Sequence, residues 1–213
     1  PPLVDTMEIT VVKKIKKIWP ALAGVVTTVV ASSAMAVAPL PTGWYLEGNV
    51  GSSKVNDVNF VANSSLTNTG VAGNLNLGYK FIPFFATELG YTRYSDSTSK
   101  VNGVKVATTK YYSYDIAAKP LLPIGDTGME LFAKLGVAHL NSNVSNSNTT
   151  YTSTHGIVVT TGTSNVNGYY FGLGADYSFM PAVAVNGQWQ RAKGNSRTGT
   201  QNLYSIGISY LFG

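Results

Sequence analysis

From Thr42 onward the chain alternates apolar and polar side chains at period two, a pattern that fits strands with two unlike faces and not helices. Trp44, Leu46 and Val50 fall on one face of the first segment, Glu47 and Asn49 on the other. Val71, Leu75, Leu77, Tyr79 and Phe81 oppose Asn74, Asn76, Gly78 and Lys80, and Phe85, Leu89 and Tyr91 oppose Glu88, Gly90 and Thr92. Tyr112, Tyr114 and Ile116 then alternate with Ser113, Asp115 and Lys119, and Leu131, Leu135 and Val137 with Phe132, Lys134 and Gly136. Tyr169, Phe171, Leu173, Tyr177 and Phe179 face away from Tyr170, Gly172, Gly174 and Asp176. Val183, Val185 and Trp189 oppose Asn186, Gln188 and Gln190, and Tyr204, Ile206, Ile208, Tyr210 and Phe212 oppose Ser205, Gly207 and Ser209. Eight strands result, and no apolar face among them carries a charge.

A soluble sandwich also alternates, but three features favour an eight-stranded antiparallel up-and-down transmembrane β-barrel, an all-β fold. The polar face is rich in Gly and short polar groups, which suits a crowded lumen, and only 12% of the chain is charged, against roughly 25% for a soluble domain. The apolar faces end in aromatics, as membrane-interface girdles do: Trp44, Tyr79, Phe81, Phe85, Tyr177, Phe179, Tyr210 and Phe212 at one level, Tyr91, Tyr112, Tyr169 and Tyr204 at the other. The connections alternate in length. Those near Ile82–Phe84, Leu122–Thr127 and Met180–Pro181 are tight, whereas Ser52–Gly70, Ser95–Thr109, Leu140–Val166 and Ala192–Thr200 are long, the asymmetry of outer-membrane barrels. The segment from Asn141 to Asn167 reads either as a hairpin extending the strands or as an unordered loop.

The leader has a different pattern. Lys13, Lys14, Lys16 and Lys17 precede an apolar run from Ile18 through Val30, and Ala34-Met35-Ala36 and Ala36-Val37-Ala38 offer cleavage sites. That order describes a secretory signal peptide. Residues 1–36 are expected to hold upstream sequence plus this signal, with Met7 as the start, and residues 37–213 the barrel. Pro20 and the short apolar run count against a membrane anchor.

The stretches Gly43–Gly51, Leu77–Tyr94, Tyr112–Gly125, Leu131–Ala138 and Gly172–Phe179 resemble strands of the OmpA/OmpX-like small outer-membrane barrels. Ser205, Gly207, Tyr210 and Phe212 match, in order, the polar, glycine and two aromatic positions of the signal read by the barrel-assembly machinery; Gly213 departs from a family that usually ends on the aromatic. The resemblance implies export across the inner membrane, residence in the bacterial outer membrane and assembly by that machinery; the peptidoglycan-binding domain of OmpA has no counterpart in the stretches that match, so anchoring to the cell wall is not expected.

Glu47, Glu88, Asp115 and Asp176 with Lys80, Lys119 and Lys134 fall on the lumen face. A barrel of this size is just wide enough for side chains to fill, and lone buried charges cost several kcal/mol each. A near-neutral salt-bridge plug is therefore expected, with a narrow porin-like channel as the alternative. Lys54, Arg93, Lys100, Lys105, Lys110, Arg191, Lys193 and Arg197 gather at the long-loop end against Asp57 and Asp96, whereas the short-turn end has no basic residue in its turns, only Asp126 and nearby Glu130. They are candidate contacts for lipopolysaccharide phosphates, the other reading being ordinary solvated charge.

Little points to catalysis. His139 with Ser142 is the one pair that distantly suits a lipid hydrolase, and two His are too few for a zinc site. Removing the leader's four Lys and two acids leaves 11 basic and 8 acidic groups, or +3, a poor basis for binding nucleic acid. With no Cys there are no disulfides. No cofactor is expected. The chain reads as a monomeric, non-enzymatic barrel acting in envelope integrity or in surface interaction through its loops. Its partners would be lipid, lipopolysaccharide and a host or surface ligand, and a lipid A-modifying enzyme is the more distant alternative.

Overall fold

A computed structural model of the chain describes residues 42–56 and 65–212. The leader with its cleavage sites, Asp57 and Gly213 lie outside the described residues.

The elements, in order, are β1 (Gly43–Asn56), β2 (Ser65–Thr67), β3 (Thr69–Ile82), β4 (Phe85–Arg93), β5 (Ser97–Val101), β6 (Val104–Ile124), β7 (Met129–Asn146), α1 (Thr149–Thr154), β8 (Gly162–Met180), β9 (Val183–Lys193) and β10 (Thr200–Phe212). Eight of the strands close a ring, β1-β3-β4-β6-β7-β8-β9-β10, with every pair antiparallel. Closure is made by β1 on β10, from Trp44 opposite Phe212 to Asn56 opposite Thr200. A closed ring satisfies every ladder hydrogen bond, which a strand needs in order to cross a hydrocarbon layer.

Parity assigns the faces as the alternation predicts. Leu46, Val50, Leu75, Leu89, Ile116, Leu135, Leu173, Ile206 and Ile208 are exposed on the outside, and Asn74, Asn76, Glu88, Asp115, Lys134 and Gln190 are buried inside. The outer band is flanked by aromatic rows. Trp44, Tyr79, Phe81 and Phe85 follow one another at centroid distances of 5.1, 4.8 and 6.2 Å near the short turns. Tyr91, Tyr112 and Tyr114 cluster near the long-loop end, with Phe171, Trp189 and Tyr204 as a second group. Small lumen residues make room for large neighbours. A Cβ on Gly78 would collide with the ring of Tyr45, which lies across it.

The long connections are more regular than their composition suggests. β5 and the start of β6 form a hairpin where a loop was expected, turning at Asn102 and Gly103, both with positive φ. An Asn-Gly pair between alternating residues is the signal for such a turn. β6, β7 and β8 continue past the aromatic rows, pairing as far as Ala107 with Asn146 and Val144 with Gly162. The Asn141–Asn167 segment thus extends the strands. Between them Asn148 caps α1 by accepting from Tyr151 N at 2.9 Å. A small apolar cluster of Val101, Val106, Ala107, Tyr151, Ile157 and Val159 holds this cap to the strands.

Candidate functional site

Because neighbouring lumen side chains come from different strands, barrel closure decides which of them meet. Glu47 and Glu88 alternate with Lys119 and Lys134 in a four-membered ring of ion pairs. Lys119 lies 3.2 Å from Glu47 and 3.0 Å from Glu88, and Lys134 lies 3.1 Å and 2.7 Å from the same two carboxylates. Asn49, Asn76 and Gln188 also donate to Glu47 Oε1, at 2.8, 2.9 and 3.1 Å, and Tyr45 donates its hydroxyl to Glu88 at 2.7 Å. Lys119 sits over the Phe132 ring at 4.2 Å, a cation–π contact. Charges so deeply buried are tolerated only when paired and hydrogen-bonded on all sides, and this ring meets that condition.

The ring is closed in from both ends. Toward the short turns Tyr45, Ala86, Leu121 and Phe132 form an apolar layer. Toward the long loops Asn49, Asn74, Thr92, Gln188 and Gln190 form an amide and hydroxyl layer, and beyond it Val55, Ala72, Tyr94, Tyr111 and Leu203 pack together. A cavity of about 70 Å³ at the short-turn end reaches Lys80, Lys119, Glu130 and Asp176.

All seven lumen charges read from parity are buried, but not all are in the ring. Asp176 approaches Lys119 at 3.6 Å, Lys80 is elsewhere, and Asp115 has no ion pair. Glu130, read as a residue of the short-turn end, instead faces the lumen and binds Lys80 at 2.6 Å. Its strand starts at Met129, one residue before it, so parity already turns it inward. With Glu130 the buried tally becomes five carboxylates against three ammonium groups, an excess of two acids where an excess of one was expected.

The basic side chains at the long-loop end divide. Arg93 is committed within the fold: its guanidinium donates to Asp96 at 2.6 Å and to the carbonyls of Tyr94 and Tyr111 at 3.0 and 2.7 Å. Lys100 and Lys105 face each other across the β5–β6 hairpin. Lys110 lies on the outer face of β6, Lys193 ends β9, and Arg197 lies in the β9–β10 connection. Arg191, Asn202 and Lys54 form one row across β9, β10 and β1. The row lies one pleat beyond the paired Trp189 and Tyr204, whose rings are 6.4 Å apart.

His139 and Ser142 are not brought together. His139 is outside, 2.7 Å from Asn167 Oδ1, whereas Ser142 is buried and donates to Ser164 O at 3.4 Å. A spacing of three residues on a strand places side chains on opposite faces. Among the described residues no three His, Asp or Glu gather as metal ligands. Ser205 and Gly207 face the lumen on β10, and the rings of Tyr210 and Phe212 lie outside, 6.2 Å apart, in the aromatic row near the short turns.

A family model for the outer membrane protein beta-barrel domain matches residues 22–212. No curated protein matches the chain at the sequence level. Among solved structures, OprG of Pseudomonas aeruginosa is 15% identical with a TM-score of 0.62, covering 83% of this chain and 99% of its own. Neisserial surface protein A is also 15% identical, with a TM-score of 0.56 over 80% of this chain and 97% of its own. The Ail protein of Yersinia pestis, solved with the heparin analogue sucrose octasulfate, gives 15% and 0.55 over 81% and 100%. At these identities the likeness is one of fold.

Proposed function

The chain belongs to the family of outer membrane protein β-barrel domains, and on that premise we propose that it is a closed, non-enzymatic barrel of the bacterial outer membrane whose long-loop rim binds anionic groups, foremost the phosphates of lipopolysaccharide. One observation carries this reading. Arg191 and Lys54 stand in one row, two strands apart and so roughly 10 Å from each other, just beyond the Trp189–Tyr204 pair. Aromatic rings at the headgroup level with cations immediately outside them suit an amphipathic glycolipid carrying phosphate. Lys110, beyond the tyrosine cluster on β6, repeats the arrangement.

The filled lumen favours this reading over a porin-like channel, since an ion crossing it would have to part four mutually bound charges. A surface ligand of anionic glycan character is a second reading. Its support is a pocket of about 100 Å³ in which Arg197 faces the hydroxyl-bearing residues Ser142, Thr160, Thr161, Thr163 and Ser164. The heparin analogue bound to Ail belongs to the same chemical class.

The test compares unfolding of the wild type and of a Lys54→Ala/Arg191→Ala double variant in bilayers with phosphorylated or dephosphorylated lipid A. Phosphate should stabilise the wild type and not the double variant. Equal stability of the wild type in both lipids would overturn the proposal.

A further inference from the structure

Asn76, Gly90 and Asp115 lie side by side in one row across β3, β4 and β6, and this parity places all three on the lumen side. Gly90 contributes no side chain, so its two neighbours lean over it. A Cβ built on Gly90 would lie 2.5 and 2.7 Å from the carboxylate oxygens of Asp115 and 2.8 Å from Asn76 Oδ1. Three oxygens therefore converge over one glycine. Both side chains are deeply buried, with Asn76 1% and Asp115 7% exposed.

The orientation of Asn76 is fixed. Its amide nitrogen donates to Glu47 Oε1 at 2.9 Å, so its oxygen must face Asp115. Asn76 Oδ1 and Asp115 Oδ2 are both buried without a donor among the described residues. Acceptors held against each other in a low-dielectric interior are costly unless something positive or proton-bearing lies between them.

The charge tally indicates which. Lys119 and Lys134 are shared by Glu47 and Glu88, and Lys80 is bound by Glu130. Asp176 still reaches Lys119, at 3.6 Å. Asp115 alone among the five buried carboxylates makes no ion pair at contact distance among the described residues, the ammonium of Lys134 acting on it only from farther off.

We propose that Asp115 and Asn76, above the open backbone of Gly90, bind one alkali-metal cation inside the barrel. Hard cations take carboxylate and amide oxygens as ligands. One carboxylate with one neutral amide balances a single positive charge, whereas calcium takes six to eight oxygens and usually several carboxylates. The ion supplies Asp115 with a positive charge at contact distance and separates it from Asn76 Oδ1. The site lies on the long-loop side of the ion-pair ring and shares Asn76 with it, which couples ion binding to the stability of the whole plug.

The test uses the full folded protein in detergent micelles. Urea unfolding is followed in sodium, potassium, rubidium or calcium chloride and, at equal ionic strength, in N-methylglucamine chloride. A ligand bound only by the folded state raises the unfolding midpoint with its concentration, so one of the alkali salts should raise it relative to N-methylglucamine. The gain should be lost in Asp115→Asn, which keeps the shape and removes the charge, and in Gly90→Ala, whose Cβ fills the site. Crystals grown in rubidium chloride should give an anomalous peak between Asp115 and Asn76. The wild-type comparison of salts requires no variant to fold. A midpoint blind to cation identity, with no rubidium peak, would mean that water or a proton fills the gap and would overturn the proposal. A gain with calcium alone would overturn the single-charge assignment.

Discussion

Glu47 and Lys134 meet at 3.1 Å although β1 and β7 stand on opposite sides of the eight-strand ring, four places apart in either direction. Both are fully buried. This pair spans the lumen as a strut, and Lys119 and Glu88 complete the ring around it. Glu47→Gln should destabilise the barrel by about 3–5 kcal/mol, the usual cost of stripping one partner from a buried pair. Urea unfolding in micelles measures it. Glu47→Gln combined with Lys134→Met should cost less than the two single changes added together, because neither remaining group is left charged and alone.

The same ring should block conduction. Wild-type protein in a planar bilayer should show no stable open level. Lys119→Ala with Glu88→Ala removes two of the four ring members and should produce ion flow if the apolar layers yield. A stable conductance in the wild type that changes with either substitution would instead establish a gated pore.

A lipid-facing charge should cost according to depth. Ile208→Lys, in the exposed band between the aromatic rows, should destabilise by about 2–4 kcal/mol in a bilayer, and Tyr204→Lys, in the row nearest the long loops, by at most about 1 kcal/mol from the charge itself. Equal effects at the two positions would place the membrane boundary elsewhere.

Gly78 is a packing position. Gly78→Val should push the Tyr45 ring aside and break its 2.7 Å bond to Glu88, at a cost of about 1–3 kcal/mol. The loss should shrink when Tyr45→Ala is already present.

Tyr210 and Phe212 allow a test of the expected assembly signal. If the C-terminal pattern is read by the assembly machinery, Phe212→Ala should slow the appearance of the folded, heat-modifiable form in cells while leaving spontaneous refolding in micelles nearly unchanged. Equal slowing in both would assign the residue to barrel stability.

Parity was legible in the sequence because a period of two needs no partner to be read, and it placed Glu47 and Lys134 on the inner face at once. Their pairing was not legible, since it depends on strand order and register around a closed ring. Glu130 went astray for a related reason: with its strand assumed to begin at Leu131, it read as part of a turn. The β5–β6 hairpin carried a local signal in Asn102-Gly103, masked by a polar composition that reads as loop. Arg93 and Lys54 look alike in the sequence. They differ only because Asp96 and two carbonyls lie within reach of Arg93.

The seam between β1 and β10 also constrains timing. Trp44 and Phe212 face each other across it, so the first ring strand waits for the last before it gains its second partner. Until then both strands offer unpaired edges to any other strand nearby. The seam is therefore the last ladder that can form, and a chain cut short before β10 would be left with two open edges in place of a closed wall.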